Sequence, residues 1–147
     1  MPSIDDLQSW ANDQELARSQ LKAIFTALES QQEETMNWAT EALENMGRPL
    51  VTDTAWLGSV ASSQSADAAY WAVTLLGRSD DSIDSVQDSI ANVFLDSQST
   101  PACRRRAIAA LAKVHTRSKA TESAIQSALK SDDSQLAGAA KEILQSV

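Results

Sequence analysis

Leu129-Lys130-Ser131-Asp132-Asp133-Ser134-Gln135-Leu136-Ala137-Gly138-Ala139-Ala140-Lys141-Glu142-Ile143-Leu144 reads as a polar turn running into a helix. Ala140 and Leu144 stand four residues apart, so both lie on one helical face. The same Ala-Leu pair recurs as Ala39 with Leu43, Ala72 with Leu76 and Ala107 with Leu111, at intervals of 33, 35 and 33 residues. Another apolar residue precedes each Leu: Ala42, Leu75, Ala110 and Ile143. A small Ala on the buried face lets a neighbouring helix come close.

Working outward, a second apolar pair precedes each motif. These pairs are Ile24 with Leu28, Trp56 with Val60, Ile90 with Phe94 and Ile125 with Leu129, spaced 32, 34 and 35 residues apart. Polar turns join each pair to the following Ala-Leu helix, at Ser30-Gln31-Gln32, Ser62-Ser63-Gln64-Ser65, Ser97-Gln98-Ser99-Thr100 and Ser131-Asp132-Asp133-Ser134. Two helices per unit at a fixed period is the sequence form of an αα-array. End signals agree: Ser3 before Asp6, Thr100 before Pro101, and Asp133 or Ser134 are N-cap candidates, while Gly47 and Gly77 are expected at C-termini. The pattern predicts nine helices, over 3–11, 14–29, 32–46, 53–62, 65–77, 82–96, 100–115, 120–131 and 133–146. The first, with Ile4, Leu7 and Trp10, reads as a degenerate end cap.

The quoted stretch, and Leu28-Glu29-Ser30 running on through Glu33-Glu34-Thr35-Met36-Asn37-Trp38-Ala39-Thr40-Glu41-Ala42-Leu43, resemble HEAT-type repeats. The resemblance runs from about Leu21 to Val147. It implies an all-α, right-handed αα-superhelix (solenoid) of about four repeats behind an N-terminal capping helix. One domain would span 1–147, with a capping half over 1–30, repeats at 31–62, 63–97 and 98–131, and a partial repeat at 132–147. Met36, Ala68 or Ala69, Cys103 and Leu136 take the family's apolar turn position. Trp38, Trp71 and Arg106 replace its usual small residue, so no subfamily function carries over.

Composition narrows the chemistry. A chain of 147 residues with four Gly, three Pro, one Cys and one His has no internal disulfide framework, no thiolate-rich zinc site and no two-imidazole centre. No apolar run approaches the ~18 residues of a membrane span, and the start lacks the features of a signal peptide, so a cytoplasmic location is expected. The net charge of −8 is uneven: nine acids and three bases in residues 1–50, seven and one in 51–100, four and eight in 101–147. Only the last third, with Arg104-Arg105-Arg106, Lys113, Arg117 and Lys119, could attract a phosphate backbone, and nucleic-acid or membrane binding by the whole domain is not expected.

The acid pairs Asp5-Asp6, Glu33-Glu34, Asp80-Asp81 and Asp132-Asp133 fall at helix starts, where they favour the helix dipole rather than acid-base catalysis. Asp80, Ser82, Asp84 and Asp88 suggest a calcium loop, but Ser85 and Ala91 occupy the positions that need Gly and Glu. Cys103 is expected in the core, and His115 near a helix end. Trp38, Trp56 and Trp71 read as core, Trp10 is left open, and Tyr70 is the aromatic expected at the surface. The arginine run reads as a solvated face answering acids of neighbouring repeats.

No catalytic, cofactor or metal site is expected. The resemblance implies a non-enzymatic protein-protein interaction module whose partner lies along the second helices. Its candidate contacts are Lys22, Thr54, Asp88 and Ser123, flanked by Arg18, Asp84 and Lys119, and Tyr70, Arg104 and Arg105 are further candidate partner-binding residues. Two alternatives are an anion or nucleic-acid contact through the basic third repeat and a role similar to HEAT-like lyases, using Asp84 and Asp88 near Tyr70 or Trp71. The last helix, ending in Ile143-Leu144 and Val147, is a candidate self-association surface.

Overall fold

Six helix starts lie where a short polar side chain occupies free backbone N–H groups. Ser3 Oγ accepts from the Asp6 N–H at 3.1 Å while the Asp6 carboxylate accepts from the Ser3 N–H at 3.3 Å, a complete capping box. Thr100 Oγ1 accepts from the Cys103 N–H, with Pro101 in the first turn, and Asp133 Oδ1 accepts from the Gln135 and Leu136 N–H groups. Asp13, Ser65 and Ser118 cap three further helices in the same way. The computed structural model describes residues 1–63, 65–79 and 83–145, which contain helices and no strand. The Asp80-Asp81 pair, Ser82, Gln64 and Val147 lie outside the described residues.

Contacts group the chain into two compact units, residues 1–50 and 51–147. In the first, α1 (Ile4–Ala11), α2 (Gln14–Ser19) and α3 (Leu21–Leu28) each pack on α4 (Glu33–Asn45). Leu7, Leu21, Ile24, Ala39, Leu43 and Met46 form their shared core. The single helix expected over 14–29 is instead two. Gln20 leaves the helical basin at φ −110°, ψ 22°, its N–H is shared between the Leu16 and Ala17 carbonyls, and the Ser19 hydroxyl donates to the Leu16 carbonyl at 2.8 Å. Hydroxyl back-bonding of this kind bends helices. Long-range bonds then hold α2: Gln14 Nε2 donates to the Asn45 carbonyl and Arg18 Nε to the Arg48 carbonyl. Gly47, at φ +72°, turns the chain after α4 as its position predicts.

The second unit holds α5 (Thr54–Ala61), α6 (Ala66–Arg78), α7 (Gln87–Leu95), α8 (Pro101–Leu111), α9 (Lys119–Leu129) and α10 (Ser134–Gln145). Short 3-10 turns precede α5 at Val51–Asp53 and α7 at Asp84–Val86. Neighbouring pairs α5–α6, α7–α8 and α9–α10 are in contact; α5 touches α7 and α7 touches α9, while α6 touches α8 and α8 touches α10. The Ala-Leu motif supplies one of these layers: Ala72, Ala107 and Ala140 are fully buried, as is Ala39 in the first unit.

Three expectations are corrected here. On α5 the buried pair is Leu57 and Ala61, one residue out of step with Trp56 and Val60, which are half-buried. Leu57 stands 33 residues after Ile24 and 33 before Ile90, so the true register is the more regular one. Gly58 beside it packs so tightly that a Cβ there would meet Val86 Cγ1 at 2.7 Å. Gly77 lies inside α6 rather than past its end, which falls at Ser79 with an extended backbone. The helix expected to reach residue 115 stops at Leu111. The Asp84 carboxylate takes the His115 and Thr116 N–H groups at 2.8 and 2.9 Å, outcompeting the helical carbonyls.

Candidate functional site

The polar turns that separate the paired helices are also where the second unit opens. The turn from α5 to α6 and the turn from α7 to α8 flank a groove of about 480 Å³. Its floor is small and apolar, made by Ala61, Ala66, Ala69, Val93 and the thiol of Cys103. Cys103 is 3% exposed, and burial pushes its thiol pKa up against the smaller lowering effect of the Arg104 charge, so it is a neutral thiol at pH 7.

The rim is polar. Ser65, Ser99 and Thr100 spend their hydroxyls on the fold: Ser65 accepts from the Ala68 N–H, Ser99 donates to the Val93 carbonyl and Thr100 caps α8. Ser62, Ser63, Ser89 and Asn92 have no side-chain hydrogen-bond partner among the described residues. Asp96 is the charged side chain on the rim, and its Oδ1 accepts from the Gln98 N–H. Such a groove offers hydroxyl and amide groups above a narrow hydrophobic floor.

The residues singled out from the sequence are dispersed. Asp84 and Asp88 belong to a structural network rather than an open cleft. Gln87, 7% exposed, accepts from the Ser118 N–H at 2.8 Å and the buried Thr121 hydroxyl at 2.6 Å, and donates to the Thr116 carbonyl at 2.8 Å. Asp88 Oδ1 accepts from the Ser118 hydroxyl at 2.6 Å. Together with Asp84 these residues fasten the start of α9 to α7. Lys22 and Ser123 are exposed and Thr54 is half-buried. Tyr70 is half-buried rather than exposed, edge-on to Trp71 with ring centres 5.3 Å apart, and Arg106 lies over its ring at 5.7 Å. Trp71 is buried, as expected of a core residue, whereas Trp38 is half-buried like Trp10 and Trp56.

The three arginines diverge. Arg104 Nη2 donates to the Asp96 carbonyl at 2.8 Å, Arg105 pairs with Asp133 at 3.2 Å and Arg106 Nε donates to the Tyr70 hydroxyl at 3.3 Å. One of the three thus answers an acid of the next helical pair. At the C-terminal helix Ile143 is buried and Leu144 half-buried, while Gln135, Gly138, Lys141, Glu142 and Gln145 are exposed. Among the described residues no group of three or more His, Cys, Asp or Glu is placed to hold a metal ion, and no helix is long and apolar enough to cross a membrane.

The groove escapes a sequence reading because its members are split between the turns and the helices beside them, Ser89, Asn92 and Val93 on α7 among them, and each looks like an ordinary turn or helix-surface residue. The available signal is that Ser62-Ser63 and Gln98-Ser99 fall one period apart, bringing successive turns side by side. No family model and no curated protein matches this chain.

Proposed function

We propose that the chain is a non-enzymatic protein-interaction module of HEAT-like repeats, which takes an extended segment of a partner protein in the groove between the α5–α6 and α7–α8 turns. The observation that carries this reading is the groove itself, where the Ser62, Ser63, Ser89 and Asn92 side chains, without hydrogen-bond partners among the described residues, stand beside an Ala, Val and Cys floor. An extended peptide brings regularly spaced N–H and C=O groups that need such partners, and unmet hydrogen-bonding groups are costly to bury. The two successions α5–α7–α9 and α6–α8–α10, and the fully buried Ala of each Ala-Leu motif, support the solenoid arrangement. The polar exposed face of α10 supports a solvated surface there more than a self-association surface. A cytoplasmic setting fits a free, neutral Cys103 thiol.

A displayed random-peptide library tests the proposal. The intact chain is expected to enrich extended peptides with small side chains, and their binding should move the amide resonances of residues 61–66 and 96–103. Asn92→Arg and Ser89→Trp, both at the rim, should abolish that binding while the chain stays folded. Failure to enrich any peptide, or resonance changes confined to other helices, refutes the groove as the interaction site.

A further inference from the structure

One repeat along from the groove, a second depression of about 400 Å³ lies between the α7–α8 and α9–α10 turns. Its lining includes Arg104, Lys130, Ser127 and Ser131, with Asp132 as the opposing acid. We infer that this depression binds an oxyanion, a phosphate ester or carboxylate, carried by the polypeptide that occupies the neighbouring groove. The inference rests on the groove reading for its source of ligand.

Arg104 is held in place by one edge: Nη2 is fixed on the carbonyl of Asp96, itself a groove residue, while Nε is buried with no hydrogen-bond partner among the described residues and stays behind the exposed part of the guanidinium. A guanidinium whose position is set and which lines the depression is suited to an oxyanion. The Lys130 ammonium and the Ser127 hydroxyl have no partner among the described residues. Ser131 Oγ accepts from the Asp133 N–H, which leaves its own proton to donate. Two cations against Asp132 leave a net single positive charge in the pocket, in a chain whose net charge is −8. Attraction is therefore local, and Asp132 limits it.

Inorganic phosphate and acetate, titrated into the intact chain at constant ionic strength, should move the amide resonances of Arg104, Ser127, Lys130 and Ser131. Lys130→Gln should weaken the site about five-fold, as expected for one partly exposed charge contact, and Asp132→Asn should tighten it by a similar factor. Arg105→Gln, outside the pocket, should leave it unchanged. A library-derived groove peptide extended with phosphoserine or Glu should then bind more tightly than its Ser counterpart, the phosphoserine arm separating phosphate from carboxylate preference. No shift at these residues, or no effect of Lys130→Gln and Asp132→Asn, overturns the site even where the unextended peptide still fills the groove. Equal affinity of extended and Ser peptides, or tighter binding of a single-stranded oligonucleotide at the same residues, overturns the polypeptide as the source.

Discussion

At Gly58 the α5 backbone comes so close to Val86 that a single methyl group decides the spacing. A Cβ would stand 2.7 Å from Val86 Cγ1 and 3.0 Å from its Cβ, so the branch point of a short side chain would have to retreat. Gly58→Ala is expected to destabilise the second unit by about 1–3 kcal/mol, the usual cost of overpacking, despite the better helix propensity of Ala. Urea unfolding would measure it, and a variant as stable as the parent would show that Val86 yields freely. Gln87 makes the complementary case, a polar side chain that cannot be replaced by shape alone. Gln87→Leu leaves the Thr121 hydroxyl, fully buried, and the Ser118 N–H without their acceptor. A loss on the order of 2–4 kcal/mol follows from two orphaned groups. Double substitution with Thr121→Val should recover part of it, and no recovery would mean that the hydroxyl is not what suffers. Neither residue announces its role in the sequence. Gln87 looks like a solvated position because three of the four groups it binds lie 29 to 34 residues away, at or just before the start of α9.

Six helices in this chain start at a side-chain cap, and these ends are where local sequence is most informative. Ser3, Thr100 and Asp133 cap the helices that their spacing predicts, because capping is chemistry among residues two or three apart. Partial desolvation of Asp133 opposes its charge, but N–H bonds from Gln135 and Leu136 and the bond and charge of Arg105 outweigh it, holding the carboxyl below the ordinary value of 3.8. A depressed folded-state pKa means that the unfolded chain takes up the proton first. The contribution of this cap is therefore present above the ordinary carboxylate value and is lost as pH falls through the lower folded value. Titration of the Asp133 carboxyl carbon by NMR should give a midpoint below 3.8, moved upward by Arg105→Gln. A midpoint at or above 3.8, or one indifferent to Arg105→Gln, would contradict the assigned causes. Elements depart from the sequence pattern where the deciding contact is distant or the pattern degenerate. The Asp84 carboxylate ends α8 from across 31 residues. On α5, Trp56-Leu57 and Val60-Ala61 put apolar residues side by side, so two i, i+4 registers fit equally, and the close packing of Gly58 on Val86 goes with the Leu57-Ala61 register.

For the whole molecule, period and charge divide differently. The ~34-residue Ala-Leu period runs through both units, yet residues 1–50 carry nine acids and three bases, whereas residues 51–147 carry eleven acids and nine bases. The near-balanced part is the one that holds the groove and the Arg104–Lys130 depression. Sequence made the layered helices legible because burial repeats at a period, but left the groove unread because it arises only when successive turns are brought together. The second unit has its own buried set, including Leu57, Leu75, Ile90, Ile108, Leu111 and Ile125, distributed over all helices from α5 to α9, with Leu136 and Ile143 from α10. At about 97 residues, such a unit is within the size range in which a single core sustains cooperative folding. Residues 51–147 expressed alone should therefore keep the helical circular dichroism of α5 to α10 and melt in one sigmoidal transition. In urea, a Gly58→Ala version of this fragment should lose stability by about the same 1–3 kcal/mol as the intact chain, since the clash with Val86 is internal to it. A fragment with broad, non-cooperative melting, or one insensitive to Gly58→Ala, would show that its core is not self-sufficient.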